Sequence, residues 1–284
     1  MNMKRVLVSS IVFTGIVLAM AWYAPSKVIL GAAAQAAGQN AQRGGAPAAA
    51  PANATPPKPT PRMSDGHPDL SGVWWGGGDV GSRGFRGGAR GAPTVSYTSL
   101  YQPWAAEKAK TLSDKDDPTL KCVPVAFGTL NVSLYSVGAV GQIIATPKFV
   151  VMLQETFHGF QLIPTDGRPH RDDVPPAYRG DSVGKWEGDT FVVDTTNYTD
   201  NTWMFAEGRV SIHSDALHIV ERYRRPDFNT LEIEAKIEDP KVLTGPWNAP
   251  KATLQLAPFD MVMSLACTGV ETQSLMDGAA KLKQ

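Results

Sequence analysis

Four of the five histidines of this 284-residue chain, His158, His170, His213 and His218, fall within one span of 61 residues that also holds Asp166, Asp189, Asp194 and Asp215, with Glu221 three residues beyond it. Imidazole and carboxylate together can hold, donate and accept protons near neutral pH, or bind a metal ion. The same residues also suit a structural role, because most of them sit beside Gly, Pro or Ser, where polar side chains satisfy turns. On the acid–base reading, His158 or His218 moves the proton and Glu221 or Asp194 orients the imidazole. Arg168, in the turn Asp166-Gly167-Arg168-Pro169-His170, holds an oxyanion or a carboxylate, or else bridges to Asp166, Asp172 or Asp173. His170, Trp186 and Trp203 complete the candidate ligand-binding set. Trp247, Tyr178 and Tyr198 add flat aromatic surface of the kind that stacks on sugar rings, although any one aromatic serves a core equally well.

Other chemistries are less well supported. Gly180-Asp181-Ser182-Val183-Gly184 has the spacing of a nucleophile elbow, but that motif needs a strand before the serine and a helix after it. Here Pro175-Pro176 precedes and a hairpin pattern follows. His213 and His218 are five apart, which suits no single strand face, and neither HExxH nor an EF-hand loop occurs. No metal ligand set is assigned, and the acid–base scheme requires no cofactor.

The elements that must position these groups are strands. From residue 149 onward, apolar and polar residues alternate in short runs separated by Gly, Asp, Asn and Pro, which predicts antiparallel strands near 149–156, 160–165, 182–186, 190–196, 215–224, 230–238, 251–257 and 260–266. Leu231-Glu232-Ile233-Glu234-Ala235-Lys236-Ile237-Glu238 is the clearest, with one apolar and one charged face. An aromatic strand is expected around Trp74 and a short helix over 103–110, closed by an acidic turn at 113–118. Many hairpins without long helices predict a mainly β domain, an antiparallel up-and-down barrel or strongly curved calycin-like sheet, with a flat β-sandwich as the alternative. Alternation puts Glu221 on the face of Leu217, Ile219 and Tyr223. If that face points inward, a carboxylate enters the barrel; if the strand is reversed, Arg222 does.

Composition bounds the setting. Residues 1–62 carry six bases and no acid, and Lys4-Arg5 precede an uncharged apolar run of nineteen residues from Val6 to Ala24. That order is an export signal, and the run exceeds the ~7 to 15 residues of a cleaved signal core and about matches a ~30 Å hydrocarbon layer. Residues 1–28 are therefore either a cleaved signal peptide or a retained anchor, which places the rest in the periplasm or outside the cell, or on the periplasmic side of the inner membrane. Residues 29–62, rich in Ala and Pro, read as a disordered tether. Residues 63–270 form a single β-rich domain with a Gly/Arg-rich flexible loop at 76–93, and 271–284 are a C-terminal tail.

The chain has 27 bases and 27 acids, so setting aside the first 62 residues leaves 21 bases against 27 acids. An acidic exported domain lacks the basic face that nucleic acid requires. The two cysteines, Cys122 and Cys267, either form one disulfide, worth ~4 to 5 kcal/mol in the chain-entropy model for so long a loop, or remain separate buried thiols. Two function classes fit these bounds. One is an exported domain that binds a small organic or carbohydrate-like ligand, with cofactor-independent hydrolysis or elimination. The other is a non-catalytic periplasmic subunit, tethered by its apolar run and docking on an inner-membrane complex.

Four long stretches, Asp65-Gly66-His67-Pro68-Asp69-Leu70-Ser71-Gly72-Val73-Trp74, Thr165-Asp166-Gly167-Arg168-Pro169-His170, Gly184-Lys185-Trp186-Glu187-Gly188-Asp189-Thr190-Phe191-Val192-Val193-Asp194-Thr195 and Leu217-His218-Ile219-Val220-Glu221-Arg222-Tyr223, resemble a large uncharacterised family of exported bacterial proteins, common in environmental lineages such as acidobacteria. The resemblance covers nearly all of residues 60–270 and implies export; it implies no named reaction. Two places depart from the family pattern. Thr268-Gly269-Val270-Glu271 follow the last cysteine where the family often has an acidic, Asn-containing tail, and the Gly/Arg stretch after Trp75 looks like a local insertion.

Overall fold

The computed structural model describes residues 57–76, 95–128, 140–155, 159–204 and 210–262. All of these belong to one compact unit that begins at Thr55. The protein is mainly β, as the alternation predicts. Its strands are β1 (Gly72–Trp75), β2 (Val140–Ala145), β3 (Phe149–Gln154), β4 (Phe160–Pro164), β5 (Asp181–Glu187), β6 (Thr190–Thr196), β7 (His218–Asp227), β8 (Thr230–Glu238), β9 (Trp247–Asn248) and β10 (Ala252–Leu256), with one helix, α1 (Pro103–Lys110), and short 3-10 turns. Nine strands run in the order β4-β3-β2-β1-β10-β8-β7-β6-β5, all antiparallel, and β9 adds to β8 off this path.

The sheet curls until its two ends nearly meet. β4 and β5 share no strand ladder; the gap is closed instead by the Gln161 amide, which donates to Ser182 Oγ at 2.9 Å and to the Arg179 carbonyl at 3.2 Å. Just beyond, Gly167 N–H donates to the Gly184 carbonyl at 2.9 Å. The result is a nearly closed barrel rather than a flat sandwich.

Period-two patterning decides what faces inward. On β8, Leu231, Ile233, Ala235 and Ile237 are buried while Glu232, Glu234 and Lys236 face out; on β6, Phe191, Val193 and Thr195 are buried. Inward-facing Trp74, Ile143, Val150, Met152, Ile163, Phe191, Tyr223, Leu231 and Leu254 form one apolar cluster within the strands. A second cluster includes Tyr97, Tyr101, Ala105, Phe127, Trp203, Leu217, Ile237 and Trp247, brought together by α1 and the loops at one end. The hollow that a calycin-like sheet would offer to a ligand is thus largely filled with hydrocarbon, because more than half of the inward positions carry large apolar side chains.

Local chemistry explains the turns. Gly188, with φ of +61°, takes the first turn position between β5 and β6, a conformation that costs a side-chain-bearing residue about 1 kcal/mol or more. Between β7 and β8, Asn229 N–H donates to Asp227 Oδ1 at 2.8 Å. Helix α1 coincides with the expected 103–110, starting at Pro103 and ending with Lys108 and Lys110 in its last turn. Strands β2 and β9 were not anticipated, and residues 260–262 of the expected last strand are irregular, its remainder lying outside the described residues. Among the described residues no helix is long and apolar enough to cross a membrane, and Val6–Ala24 lies outside them.

Candidate functional site

The outward faces of β5 to β8 carry a row of five ionisable side chains. Asp194 of β6 is paired across the ladder with Val220 of β7 and Val183 of β5, so His218 and Asp181 lie on its diagonals on the same face. His218 is in turn directly opposite Glu238 of β8. The fifth member, His170, comes from the loop after β4. The Gly167–Gly184 hydrogen bond folds that loop back over β5, and His170 lands above the sheet between two carboxylates.

The contacts form a chain. His170 Nδ1 lies 2.9 Å from Asp181 Oδ2 and its Nε2 lies 3.0 Å from Asp194 Oδ1. His218 Nε2 meets the same Asp194 oxygen at 2.9 Å. On the far side, His218 Nδ1 stands 3.6 Å from Glu238 Oε2, too long for a hydrogen bond, while Glu238 Oε1 is held by Lys236 at 2.8 Å. A carboxylate only accepts, so these distances assign the protons. Both nitrogens of His170 face carboxylates and both must donate, which is the imidazolium form. Burial works against that charge, but the hydrogen bonds and charges of Asp181 and Asp194 outweigh it and raise the His170 pKa above its usual value. His218 donates from Nε2 to Asp194, and its Nδ1 makes no hydrogen bond to Glu238.

His218 and Glu238 also line a cleft of about 550 Å³, walled by Gln102, Ala216, Leu243, Thr244 and Pro246. Beneath it, buried Asp239 is fully occupied: it accepts from Ser214 N–H and Oγ at 2.6 and 2.7 Å and from the Lys241 and Val242 amides. That cap fixes the loops on both sides of the cleft. Its lining mixes apolar Leu243, Ala216 and the prolines with polar Gln102, Thr244, His218 and Glu238, a mixture suited to a small ring with hydroxyl groups. Among the described residues no group of three or more His, Cys, Asp or Glu side chains is arranged to hold a metal ion; the donors of this row are turned on one another.

Of the residues singled out by sequence, Asp194, His170 and His218 come together. Glu221 does not. It points inward, 3% exposed, and accepts from Tyr223 Oη at 3.0 Å, on the opposite face of β7 from His218. It therefore cannot orient that imidazole. Arg222 faces out and binds Glu187 at 2.7 Å, which settles the direction of the strand. Arg168 is an exposed bidentate partner of Asp166, through Nε at 2.9 Å and Nη2 at 2.7 Å, and this pairing holds the Asp166 carboxyl down to about 2. Its guanidinium is committed locally rather than offered to a ligand. Trp203 is buried in the end cluster, and Trp186 stacks on the His67 ring at 4.6 Å and leans on Phe191, so neither lines the cleft. His213 is buried, with Nε2 2.6 Å from Thr202 Oγ1 and Nδ1 3.0 Å from the Ser214 carbonyl, and serves the core. His158 and Cys267 lie outside the described residues, and with Cys267 the expected partner of Cys122.

Asp181 and Glu238 were missed as site residues, although the pattern contained a signal. Asp181 sits inside the failed elbow motif, whose Ser182 has no histidine beside it and instead bonds Thr195 Oγ1 at 2.9 Å. Glu238 ends the clearest alternating strand on its charged face, opposite a histidine. No family model, curated protein or solved structure matches the chain.

Proposed function

We propose that this chain is an exported protein of the bacterial envelope that binds a small, neutral, hydroxyl-bearing molecule, carbohydrate-like in character, in the cleft beside His218 and Glu238. It then performs cofactor-independent acid–base chemistry on that molecule, a hydrolysis or an elimination. One observation carries the reading: a single oxygen, Asp194 Oδ1, receives Nε2 of both His170 and His218, and the second of these histidines faces a cleft.

In this scheme His218 Nδ1 takes a proton from a bound water or from the substrate. The imidazolium so formed keeps its Nε2–H on Asp194, whose charge stabilises it. His170, already cationic between Asp181 and Asp194, holds the Asp194 carboxylate in place. The proton on Nδ1 then passes to the leaving oxygen, or to solvent through Glu238. A positioned base of this kind contributes about 10²- to 10⁴-fold to a rate. The cleft's described lining includes two carboxylates, Glu238 and Asp239, and no Lys or Arg, which favours neutral over anionic ligands. The Cys122–Cys267 disulfide and membership of the exported family belong to the same proposal.

The test is a panel of neutral sugars and lactones screened by thermal shift and by NMR of the histidine Cε1–H signals. A ligand of this site moves the His218 signal and raises Tm, and His218→Gln abolishes both while its unliganded Tm stays within a few degrees. Ligands that shift Tm equally in wild type and His218→Gln would place binding elsewhere and sink the proposal. The competing reading, a non-catalytic subunit docking on an inner-membrane complex, rests on the apolar run before Ala24, which lies outside the described residues.

A further inference from the structure

The loop between β4 and β5 is fastened at both ends and held by one side chain in between. At its start, Gly167 N–H donates to the Gly184 carbonyl at 2.9 Å, and Asp166 bridges to Lys185. At its end, Asn197 Nδ2 donates to the Val174 and Pro175 carbonyls at 3.1 and 3.3 Å, and Ala177 N–H donates to the Asn197 carbonyl at 3.1 Å. Between these fastenings Arg168, Pro169, Arg171, Asp172 and Asp173 are exposed, and only His170 is partly buried. Arg168 is turned back on Asp166, and Arg171 on Asp173 at 3.0 Å. Among the described residues, three hydrogen bonds carry residues 168–173 onto the strands. They are those of His170 Nδ1 to Asp181 Oδ2, His170 Nε2 to Asp194 Oδ1, and the Arg171 amide to Asp181 Oδ2 at 3.3 Å. All three end on two carboxylates, one on β5 and one on β6.

The number of protons on His170 decides whether this clasp holds. Both ring nitrogens face oxygens that only accept. The imidazolium, with an N–H on each nitrogen, satisfies both. The neutral ring has one N–H, so it keeps one carboxylate and sets a lone pair against the other. The charged groups that face the ring are Asp181 of β5 and Asp194 of β6, with His218 of β7 beyond Asp194 Oδ1 and Arg171 of the same loop near Asp181. Lys185 of β5 is spent on Glu187 at 3.0 Å. Burial opposes the charge on His170, and Asp181 and Asp194 outweigh it, so its pKa stands above the ordinary 6.5. The clasp is therefore complete below pH 6.5 and is lost as pH rises through the folded value.

We propose that residues 168–174 are a pH-sensitive flap, latched onto Asp181 and Asp194 by the protonated ring of His170 and released when that ring loses a proton. Release bares Asp181 and Asp194 and leaves His218, among the described residues, alone on Asp194 Oδ1. The ends of the flap stay fastened, because the bonds at Gly167, Val174 and Pro175 involve no titrating group. The latch rests on these contacts and not on the reaction proposed above.

Hydrogen exchange of the full chain, read by mass spectrometry from about pH 5 to 8.5 and divided by the intrinsic exchange rate at each pH, tests this. Amide protection in residues 170–174 is expected to fall at least about tenfold, the loss due to charge-assisted bonds. The fall should be centred on the His170 midpoint given by NMR of its Cε1–H signal. Protection in the β6–β7–β8 ladders, from the same spectra, should stay constant and report that the fold is intact. His170→Gln, which carries no titrating group, should show the low protection of the open flap at every pH. Wild-type protection in residues 170–174 that does not change with pH would overturn the proposal. So would a fall centred away from the His170 midpoint, or one that persists in His170→Gln.

Discussion

Gly184→Ala is the sharpest probe of how the barrel positions its site. Gly184 lies on the inner face of β5, and a Cβ added there would stand 2.3 Å from Phe191 Cζ, 2.7 Å from Phe191 Cε2 and 2.9 Å from the Pro164 carbonyl oxygen. The Phe191 ring is fully buried and cannot swing out, and the carbonyl belongs to the β4 backbone, so relief must come from widening the seam between β4 and β5. Overpacking of this kind costs about 1–3 kcal/mol, against which a less flexible unfolded chain returns about 0.4–1 kcal/mol. A net loss of about 1–2 kcal/mol lowers Tm by roughly 2–8 °C in a domain of this size. Urea titration and thermal melting followed by Trp fluorescence measure it. Widening also draws the loop bearing His170 away from Asp181, so the His170 NMR titration should shift toward that of an ordinary histidine. Phe191→Leu in the same chain should restore part of the loss, giving a coupling of at least about 0.5 kcal/mol. Gly188→Ala is the control: nothing lies within 4 Å of its Cβ, so its cost comes from the positive φ alone and His170 is unaffected. Wild-type stability in Gly184→Ala, or strict additivity with Phe191→Leu, would refute the reasoning.

Arg225→Met tests a second support. Arg225 is buried, donates to the carbonyls of Asp69, Ser71 and Phe228, and lies between the Trp74 and Phe228 rings at 4.9 and 5.3 Å. Its removal should cost about 2–4 kcal/mol in urea denaturation, since three carbonyls lose their donor; a loss under 0.5 kcal/mol would show that these bonds are not what ties the β1 entry loop to β7. Asp194→Asn keeps an acceptor but removes the charge, so the His170 titration should move down in NMR, and an unmoved midpoint would contradict the sandwich of carboxylates. His213 governs acid sensitivity. Burial outweighs the opposing Ser214 carbonyl and Asp239 and holds its folded pKa below the ordinary 6.5, so the unfolded chain takes up a proton that the folded one refuses, and stability falls as pH drops below 6.5. The raised pKa of His170 acts in the opposite sense, adding stability at low pH that is lost as pH rises through its folded value. His213→Gln should therefore flatten the decline in urea midpoint between pH 6.5 and 5, and an unchanged slope would rule His213 out as its source.

The strands from β3 to β8 were legible as short apolar and β-branched runs set off by Gly, Asp, Asn and Pro, with β8 the cleanest in its alternation. β2 was not: Val140-Gly141-Gln142-Ile143-Ile144-Ala145 breaks alternation with a buried glycine and an exposed isoleucine, and the two-residue β9 is below any periodic signal. Within the site, Asp194, His170 and His218 were nominated by residue type, but their partners follow from register. Whether Asp194 meets His218 or Glu221 meets it depends on which face of β7 looks outward, and alternation fixes the two faces without saying which carries the site. A cup was expected to hold the chemistry inside. The large apolar side chains that made the strands recognisable are the same ones that fill the cup, so the titratable groups are left on its outer wall. Arg168 looked available because its committed partner, two residues away, was one of three carboxylates within reach.

A ring of strands completed by a glutamine side chain instead of a backbone ladder has one predetermined place to breathe. Amides of β4 and β5 that border this gap should trade their hydrogens for deuterium sooner than those buried in the β6–β7–β8 ladders. Force or denaturant should part the molecule there first, like a cuff at its button. Because His170 hangs from one margin and Asp181 from the other, each such parting would momentarily dismantle the proton chain while leaving Asp194 and His218 together.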